Sequence, residues 1–295
     1  MAKSLLFIIN PYSGKKIIKS KICDIIDIFI KHEYEVSLHV TQAPQDIIAV
    51  IETRANDFDL CICSGGDGTL NEMVRACTNI NYQKAIGYIP TGTTNDFATT
   101  LKLSKNPVKC ATQIMEGTTG FCDVGLLNQS AFIYIAAFGA LTDISYTTPQ
   151  SSKNILGHSA YVLAGMKQLI GLKKYRLNIE YDNEVIRDTF CYGMITNTLS
   201  VGGFHFFNEQ DIDLNDGYFE CMFVKYPNNP LDFQQILQAF VSKDIKNSSR
   251  VYVFKAKKIK IRSRKEIAWT LDGEFGGNYN EIEVVNKNKA IQIIR

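Results

Sequence analysis

A glycine-rich sequence with a carboxylate in its middle connects an apolar segment to a helix-like pattern at residues 63–72. It reads Cys-Ser-Gly-Gly-Asp-Gly-Thr-Leu-Asn-Glu, so that glycines stand on both sides of Asp67. Glycine lets backbone N–H groups approach an anion closely, and a helix that begins near Thr69 directs the positive end of its dipole to the same place. The sequence therefore predicts a phosphate-binding turn, although a tight turn without a ligand has the same composition.

Two more segments pass from an apolar strand pattern into a loop of small polar residues. Residues 85–89 precede Pro-Thr-Gly-Thr-Thr-Asn-Asp-Phe-Ala at 90–98, and residues 5–9 precede Asn-Pro-Tyr-Ser-Gly-Lys at 10–15. In an open parallel α/β sheet, ligands bind outside the carboxyl ends of the strands. We therefore expect the three loops to converge on one nucleotide.

The elements that position these loops follow from the hydrophobic periodicity. Strand and helix patterns alternate up to about residue 123, which predicts a parallel sheet covered by helices on both faces. Short β-like segments dominate afterwards, at 132–136, 176–181, 221–224 and 251–262, with inserted helices at about 160–170 and 231–241. The predicted fold class is α/β: an N-terminal open parallel-sheet nucleotide-binding domain at 1–123, then a mostly antiparallel β-sandwich domain at 124–286.

The composition is typical of a globular protein. The chain has 295 residues, of which 45% are hydrophobic and 21% charged, and its net charge of +2 gives no indication of nucleic-acid binding. The eight cysteines lack a C-x-x-C spacing, which favours a reduced, cytoplasmic protein. No segment approaches the roughly 20 apolar residues that a membrane-spanning helix needs, so a lipid substrate would be met at the membrane surface.

Four motifs together resemble the diacylglycerol kinase catalytic family of lipid kinases, which also includes sphingosine and ceramide kinases. They are Asn-Pro-x-Ser-Gly-Lys at 10–15, Gly-Gly-Asp-Gly-Thr-x-Asn-Glu at 65–72, Gly-Thr-x-Asn-Asp-Phe-Ala at 92–98 and Asp-Gly-Glu at 272–274. NAD kinases resemble the second motif alone, but the third and fourth argue against that assignment. The motifs span nearly the whole chain in the family's order, and the resemblance is compatible with a last strand at about 287–295 that returns to the first domain.

The resemblance implies that ATP and Mg²⁺ bind at the motif residues. The residues it assigns to the nucleotide site are Asn10, Pro11, Tyr12, Ser13, Gly14, Thr41, Gly65, Gly66, Asp67, Gly68, Thr69, Leu70, Asn71, Glu72, Thr93, Asn95 and Asp96. Because Asp67 and phosphate are both anionic, a Mg²⁺ ion between them would remove their repulsion. Glu72 has a second interpretation, since a carboxylate in the first helical turn also stabilises the helix.

The Asp-Gly-Glu sequence at 272–274 is the best source of a general base. A kinase of this kind needs a carboxylate to accept the proton of the substrate hydroxyl. The resemblance ranks Glu274 first and gives Asp272 a supporting or metal-linked role, but the sequence does not decide between them. Asp123 either joins this acidic group or forms hydrogen bonds between the domains.

An acidic segment at 211–218 differs from a calcium loop because it lacks the EF-hand length and the terminal Glu. In soluble bacterial members of the family a structural Mg²⁺ binds a matching segment. The resemblance places its ligands here at Asp213, Asp216 and Tyr218, with the ligand atom of Asp213 open.

The expected activity is phosphoryl transfer from ATP to diacylglycerol, giving phosphatidic acid. A kinase of another lipid alcohol, resembling sphingosine or phosphatidylglycerol, an NAD kinase, and a non-catalytic nucleotide- or lipid-sensing module are the alternatives. The expected partners are a lipid substrate at the inner face of the membrane and, from the resemblance alone, a second copy in a homodimer.

Residues 201–207 are a candidate wall for an acyl chain. Basic residues at Lys167, Lys173, Lys174, Arg176 and 255–265 are candidates for contact with anionic lipid.

Overall fold

A computed structural model describes residues 3–14, 17–139, 172–198, 200–201, 204–205, 207, 212–242 and 244–295. Its strands are β1 (Lys3–Ile9), β2 (Tyr34–Val40), β3 (Leu60–Gly65), β4 (Ala85–Pro90), β5 (Thr119–Leu127), β6 (Ser130–Phe132), β7 (Ile135–Gly139), β8 (Tyr175–Tyr181), β9 (Glu184–Thr196), β10 (Ser200–Val201), β11 (Phe204–His205), β12 (Phe219–Lys225), β13 (Val251–Ala256), β14 (Lys258–Leu271) and β15 (Glu274–Ile294). Its helices are α1 (Ile22–Lys31), α2 (Asp46–Arg54), α3 (Asp67–Asn79), α4 (Asp96–Thr100), α5 (Pro107–Glu116) and α6 (Pro230–Val241).

The first four strands form a parallel sheet in the order β4-β3-β1-β2. β1 lies in its middle, and its five consecutive apolar residues from Leu5 to Ile9 are fully buried. A strand covered on both faces reads as a continuous hydrophobic run rather than an alternation. This arrangement brings the carboxyl ends of β1, β3 and β4 to one edge, where the three glycine-containing loops begin.

The remaining large strands pair antiparallel and continue the same sheet. Its full order is β13-β12-β9-β7-β14-β15-β4-β3-β1-β2, with β5, β6 and β8 paired beside this path. β15 joins the two parts: it pairs antiparallel with β14 along its first half, and at Gln292 and Ile293 it pairs parallel with β4. The end of the chain therefore lies in the parallel part of the sheet.

Two hydrophobic clusters form the core: the first extends from the parallel region into the antiparallel one, and the second lies in the antiparallel region. In the first, Phe7 of β1 meets Phe29 of α1 edge to face, with ring centroids 5.3 Å apart. In the second, Phe138 of β7 meets Trp269 of β14 at 4.9 Å. Because Trp269 is buried and is the chain's single tryptophan, its fluorescence reports on the folding of the antiparallel region.

The mixed α/β fold with many strands is as predicted, and so is the helix at 231–241, which is α6. The segment 251–262 divides into two strands at Lys257 rather than forming one. The division into domains stays a prediction, since one sheet passes through both regions. The predicted helix at 160–170 lies outside the described residues. Within the described part, every helix is too short or too polar to cross a membrane.

Candidate active site

The three glycine-containing loops are in direct backbone contact. A Cβ atom on Gly92 would lie 2.5 Å from the Cα atom of Gly66, and one on Gly14 would lie 2.2 Å from the carbonyl oxygen of Thr91. Gly66 also faces Ser13, whose Oγ would be 3.6 Å from an added Cβ. The approaches at Gly92 and Gly14 require residues without side chains, whereas the distance at Gly66 is an ordinary contact. The three loops therefore come together as the sequence predicted.

Backbone hydrogen bonds fasten each loop to the next one. The carbonyl oxygen of Gly65 accepts from the N–H groups of Thr91 (2.7 Å) and Gly92 (3.1 Å), which connects the end of β3 to the loop after β4. The N–H of Asn10 donates to the carbonyl oxygen of Ser64 at 2.9 Å, which connects the loop after β1 to β3. The three loops therefore form one connected surface at this edge of the sheet.

Two of the predicted nucleotide residues hold these loops by their side-chain amides. Asn10 donates through Nδ2 to Thr69 Oγ1 at 3.2 Å and accepts the N–H of Tyr12 at 3.1 Å. Asn95 has a left-handed backbone, with φ 54°, and its amide makes a hydrogen bond to both the N–H and the carbonyl oxygen of Gly92, at 3.0 and 2.9 Å. Their contacts indicate that these amides shape the loops.

Asp67 is the first residue of α3, and its carboxylate connects the loop after β3 to α4. Oδ2 accepts the N–H of Asp96 at 3.2 Å, and Oδ1 accepts the N–H of Phe97 at 3.3 Å. Burial, followed by the nearby charge of Asp96, raises the pKa of Asp67 to about 6. A divalent cation at this point would relieve the repulsion between the two carboxylates, so the donor set fits Mg²⁺.

Glu72 connects α3 to the beginning of α2. Its Oε1 accepts the N–H of Gln45 at 3.0 Å, and Gln45 has a left-handed backbone with φ 67°. Burial raises the pKa of Glu72, and the charge of Glu274 acts in the same direction. α3 begins at Asp67, so Glu72 lies beyond the first helical turn rather than within it as expected, and its structural role is to hold the start of α2 through Gln45.

The remaining predicted nucleotide residues divide into buried and exposed groups. Leu70 is fully buried in the core and Asn71 is also buried, so these two contribute through their place in α3. Thr41 is buried beyond the end of β2, where its N–H donates to the carbonyl oxygen of Ile9 at 2.9 Å. Among the exposed and half-buried members, Tyr12 is 70% exposed, with the Lys19 ammonium 5.3 Å from its ring centroid. Pro11 is buried, Gly68 half-buried and Thr93 exposed. Lys15 lies outside the described residues.

Asp272 is buried, and its carboxylate accepts hydrogen bonds from three backbone N–H groups. Oδ2 accepts the N–H of Ile133 at 2.7 Å, while Oδ1 accepts those of Tyr134 at 3.0 Å and Ile135 at 2.9 Å. Burial raises the pKa of Asp272 to about 7, against the opposing effect of these three donors. The carboxylate fastens the turn between β14 and β15 to the start of β7, which favours the supporting role over that of base.

Glu274 is exposed and reaches the glycine-rich loop. Its Oε1 lies 3.3 Å from the position of a Cβ atom on Gly68. The turn that places it there has a left-handed backbone at Asp272 (φ 48°) and Gly273 (φ 88°). Of the two candidate bases, Glu274 is therefore the carboxylate at the glycine-rich loop, and no side chain or backbone group among the described residues donates a hydrogen bond to it.

Tyr134 is a site residue that the sequence analysis missed. It is 7% exposed, and its hydroxyl lies 3.7 Å from the position of a Cβ atom on Gly273. Burial raises the pKa of Tyr134 well above its ordinary value, and the charges of Asp272, Asp67, Asp96 and Glu274 add to that effect. The sequence around Tyr134 gave no indication of a site, because a tyrosine in an apolar strand pattern is typical of a core. The pairing of β7 with β14 brings it to the acidic turn.

Asp123 holds the junction between β5, β12 and β15. Its carboxylate accepts the N–H of Gly217 (2.7 Å), the side-chain amide of Asn288 (2.9 Å) and the N–H of Lys289 (2.6 Å). Its own N–H donates to the carbonyl oxygen of Leu214 at 2.7 Å. Of the two roles considered for Asp123, these contacts favour hydrogen bonding between parts of the fold.

The predicted structural Mg²⁺ site at Asp213, Asp216 and Tyr218 lies in the turn before β12. Asp216 accepts the N–H of Tyr218 at 2.8 Å and pairs with the Lys255 ammonium at 3.1 Å. Lys255 also pairs with the buried Glu220 at 2.9 Å. A lysine charge therefore already compensates Asp216, and within the described residues no group of three or more His, Cys, Asp or Glu side chains could hold a metal ion. This magnesium site stays a prediction.

The residues predicted to contact lipid are only partly described. Ion pairs occupy much of the basic segment at 255–265, since Lys258 pairs with Glu283 and Arg262 with Glu180 and Glu281. Within residues 201–207, Val201 is half-buried and Phe207 buried, and Lys167 lies outside the described residues. Contact of these segments with lipid stays a prediction.

Comparison with known proteins gives one consistent family. The model of the diacylglycerol kinase catalytic domain matches residues 4–127. The protein named diacylglycerol kinase from Bacillus subtilis (strain 168) is 35% identical over 302 aligned positions, which cover 99% of each chain. The protein of that name from Staphylococcus haemolyticus (strain JCSC1435) is 34% identical over 94% of this chain and 84% of its own.

Solved structures show the same fold. A Bacillus anthracis (strain Sterne) structure superposes with a TM-score of 0.84 at 23% identity, covering 99% of this chain and 95% of the other. Another from the same strain, described as a diacylglycerol kinase, has a TM-score of 0.78 at 21% identity and covers 99% and 97%. At these identities the likeness concerns the fold.

Proposed function

This chain belongs to the diacylglycerol kinase family and is a kinase, and from that premise we propose that it transfers the γ-phosphoryl group of ATP to the hydroxyl of diacylglycerol. The products are phosphatidic acid and ADP. The observation that carries the proposal is the position of Glu274 beside Gly68, because it brings an exposed carboxylate to the loop that would bind the phosphates.

The proposed reaction needs one proton acceptor and a fixed phosphate. The acceptor oxygen forms a bond to the γ-phosphorus as the bond from that phosphorus to the β,γ-bridging oxygen breaks, and Glu274 takes the acceptor's proton. Backbone N–H groups at the start of α3 would hold the phosphates, with the dipole of that helix favouring their negative charge. Asp272 would keep the turn of Glu274 in place through its three backbone hydrogen bonds.

Magnesium would accompany the nucleotide. When bound, Mg²⁺ would neutralise part of the phosphate charge. Asp67 and Asp96 would be the residues that hold it, because burial and then the charge of Asp96 raise the pKa of Asp67, and a cation would relieve that repulsion. This assignment is part of the proposal.

The lipid would be met at a membrane surface. Phe275 follows Glu274 directly and is 67% exposed, so an apolar ring stands next to the proposed base. An exposed apolar ring can insert at the boundary between lipid headgroups and acyl chains. The proposal therefore places the open side of the site, next to Phe275, toward the lipid substrate.

Transfer of labelled phosphate from Mg-ATP tests the function. The acceptors are diacylglycerol, sphingosine and phosphatidylglycerol in mixed micelles, and NAD in solution, each with wild type and Glu274→Gln. Phosphatidic acid from wild type alone is the expected result. A labelled product formed from another alcohol would make that alcohol the substrate in place of diacylglycerol. ATP binding without transfer to any acceptor would favour the non-catalytic sensing module.

A further inference from the structure

Tyr134 presents its hydroxyl to the turn that carries the proposed base. Its backbone is fixed on both sides: its N–H donates to Asp272 at 3.0 Å, and its carbonyl oxygen accepts from Thr196 Oγ1 at 2.6 Å and from the N–H of Asn197 at 3.1 Å. The ring starts from this fixed point, and its hydroxyl lies 3.7 Å from where Gly273 would carry a Cβ atom. The phenol therefore occupies a defined position beside Glu274.

The hydroxyl of Tyr134 has no hydrogen-bond partner among the described residues, although the side chain is more than nine-tenths buried. The hydroxyl oxygen is not fully enclosed by the described protein atoms, so it borders accessible space. Buried tyrosines ordinarily bond their O–H group to something, because an unpaired polar group loses its hydration without compensation. A group that enters the site is the natural partner.

From this geometry we infer that the Tyr134 hydroxyl donates a hydrogen bond to the hydroxyl oxygen of the alcohol that receives the phosphoryl group. The inference rests on the proposed function. The acceptor oxygen would then accept from Tyr134 while its own proton is directed to Glu274. Burial raises the pKa of Tyr134, so the phenol stays protonated and remains a donor at neutral pH.

The hydrogen bonds of Tyr134 favour the alcohol over ATP as its partner. Among the described residues they join it to Asp272, Thr196 and Asn197, and none joins it to the three glycine-containing loops. Its hydroxyl faces Gly273, the residue before Glu274. A donor in this place would hold the alcohol against the base, while the backbone of the loops would hold the phosphates.

Tyr134→Phe tests the inference, because it removes one oxygen and keeps the ring. Tyr82→Phe is the matched control: Tyr82 is also buried, but its hydroxyl bonds to Cys61 in the parallel region. We expect Tyr134→Phe to lower kcat/KM for diacylglycerol by about 5- to 10-fold, the worth of one neutral hydrogen bond, with most of the change in KM. MgATP affinity, measured by calorimetry, should stay within about twofold.

A deoxy analogue of diacylglycerol, with hydrogen in place of the hydroxyl, supplies a second measurement. As a competitive inhibitor it lacks the oxygen that Tyr134 would bind, so its inhibition constant should be the same for wild type and Tyr134→Phe. Unequal constants would contradict the inference, as would an unchanged kcat/KM or a loss of MgATP affinity equal to the loss for the lipid. If wild type phosphorylates no alcohol, the proposed function itself fails; if wild type is active and Tyr134→Phe equals it, the inference alone fails.

Discussion

The Oε1 atom of Glu274 lies 3.3 Å from the point where Gly68 would carry a side chain. The two residues belong to different regions of the chain, since Gly68 is in the first turn of α3 and Glu274 begins β15. β15 pairs antiparallel with β14 next to Glu274 and parallel with β4 near its own end, so it joins the two regions in one sheet. A proposed base and a phosphate loop therefore meet through the strand that joins the two regions.

Glu274→Gln should abolish most of the activity while keeping the site intact. Glutamine has the shape of glutamate but accepts no proton at neutral pH, so kcat should fall by about 10²- to 10⁴-fold. MgATP affinity should change little, because backbone groups of the loops would hold the phosphates. Steady-state kinetics and calorimetry measure the two effects. Glu281→Gln, an exposed ion-paired change on the same strand, serves as control, and a kcat within a few-fold of wild type for Glu274→Gln would remove Glu274 as the base.

Gly92→Ala should disturb the contact between two loops, whereas Gly66→Ala should not. The added methyl would lie 2.5 Å from the Cα atom of Gly66 in the first variant, and 3.4 Å from the Cα atom of Gly92 in the second. The first distance forces backbone to move, while the second is ordinary contact. We expect about 1–3 kcal/mol lower free energy of unfolding and weaker MgATP binding for Gly92→Ala. Equal urea midpoints for the two variants would contradict this.

Local sequence predicted the loops because each of them is encoded by a few consecutive residues. The loops at 10–14, 65–69 and 90–98 each follow an apolar strand, and parallel topology is enough to bring their ends together. The glycines at positions 14 and 92 indicate that two backbone segments approach each other closely there. These features need no knowledge of distant contacts.

Roles that depend on long-range pairing could not be predicted in the same way. Whether Asp272 or Glu274 is free depends on which of them accepts hydrogen bonds from the N–H groups of residues 133–135, which lie more than a hundred residues away in the sequence. Tyr134 stands in an apolar strand pattern that is typical of core. The pairing of Lys255 with Asp216 likewise follows from the register of β12 with β13.

Asp272→Asn should lower stability rather than act as the loss of a base. An asparagine has one carbonyl oxygen, so its NH₂ group would face at least one of the three N–H donors that now point at the carboxylate. Leaving a buried donor unpaired costs about 1–3 kcal/mol of folding free energy. Urea unfolding followed by Trp269 fluorescence measures this loss, and Glu274→Gln should stay within about 0.5 kcal/mol of wild type. A fully stable but inactive Asp272→Asn would instead make Asp272 the base.

Glu220 should make folding stability fall as the pH rises toward neutrality. It is 3% exposed, and burial raises its pKa from 4.5 to about 7 in spite of the ion pair with Lys255. Between these two values the folded protein keeps a proton that the unfolded chain has lost. The contribution of this group is therefore complete below about pH 4.5 and is lost as the pH rises through about 7.

Glu220→Gln removes that titration, so its free energy of unfolding relative to wild type should rise between pH 5 and pH 8. The slope for one proton is at most about 1.4 kcal/mol per pH unit. Glu283→Gln is the control, because the ion pair with Lys258 lowers the pKa of Glu283 and leaves it ionised in both states over this range. Urea unfolding of the three proteins at pH 5, 6, 7 and 8, followed by Trp269 fluorescence, measures the differences. A difference between Glu220→Gln and wild type that does not change with pH would show that Glu220 is already ionised at pH 5, with Lys255 compensating its charge throughout.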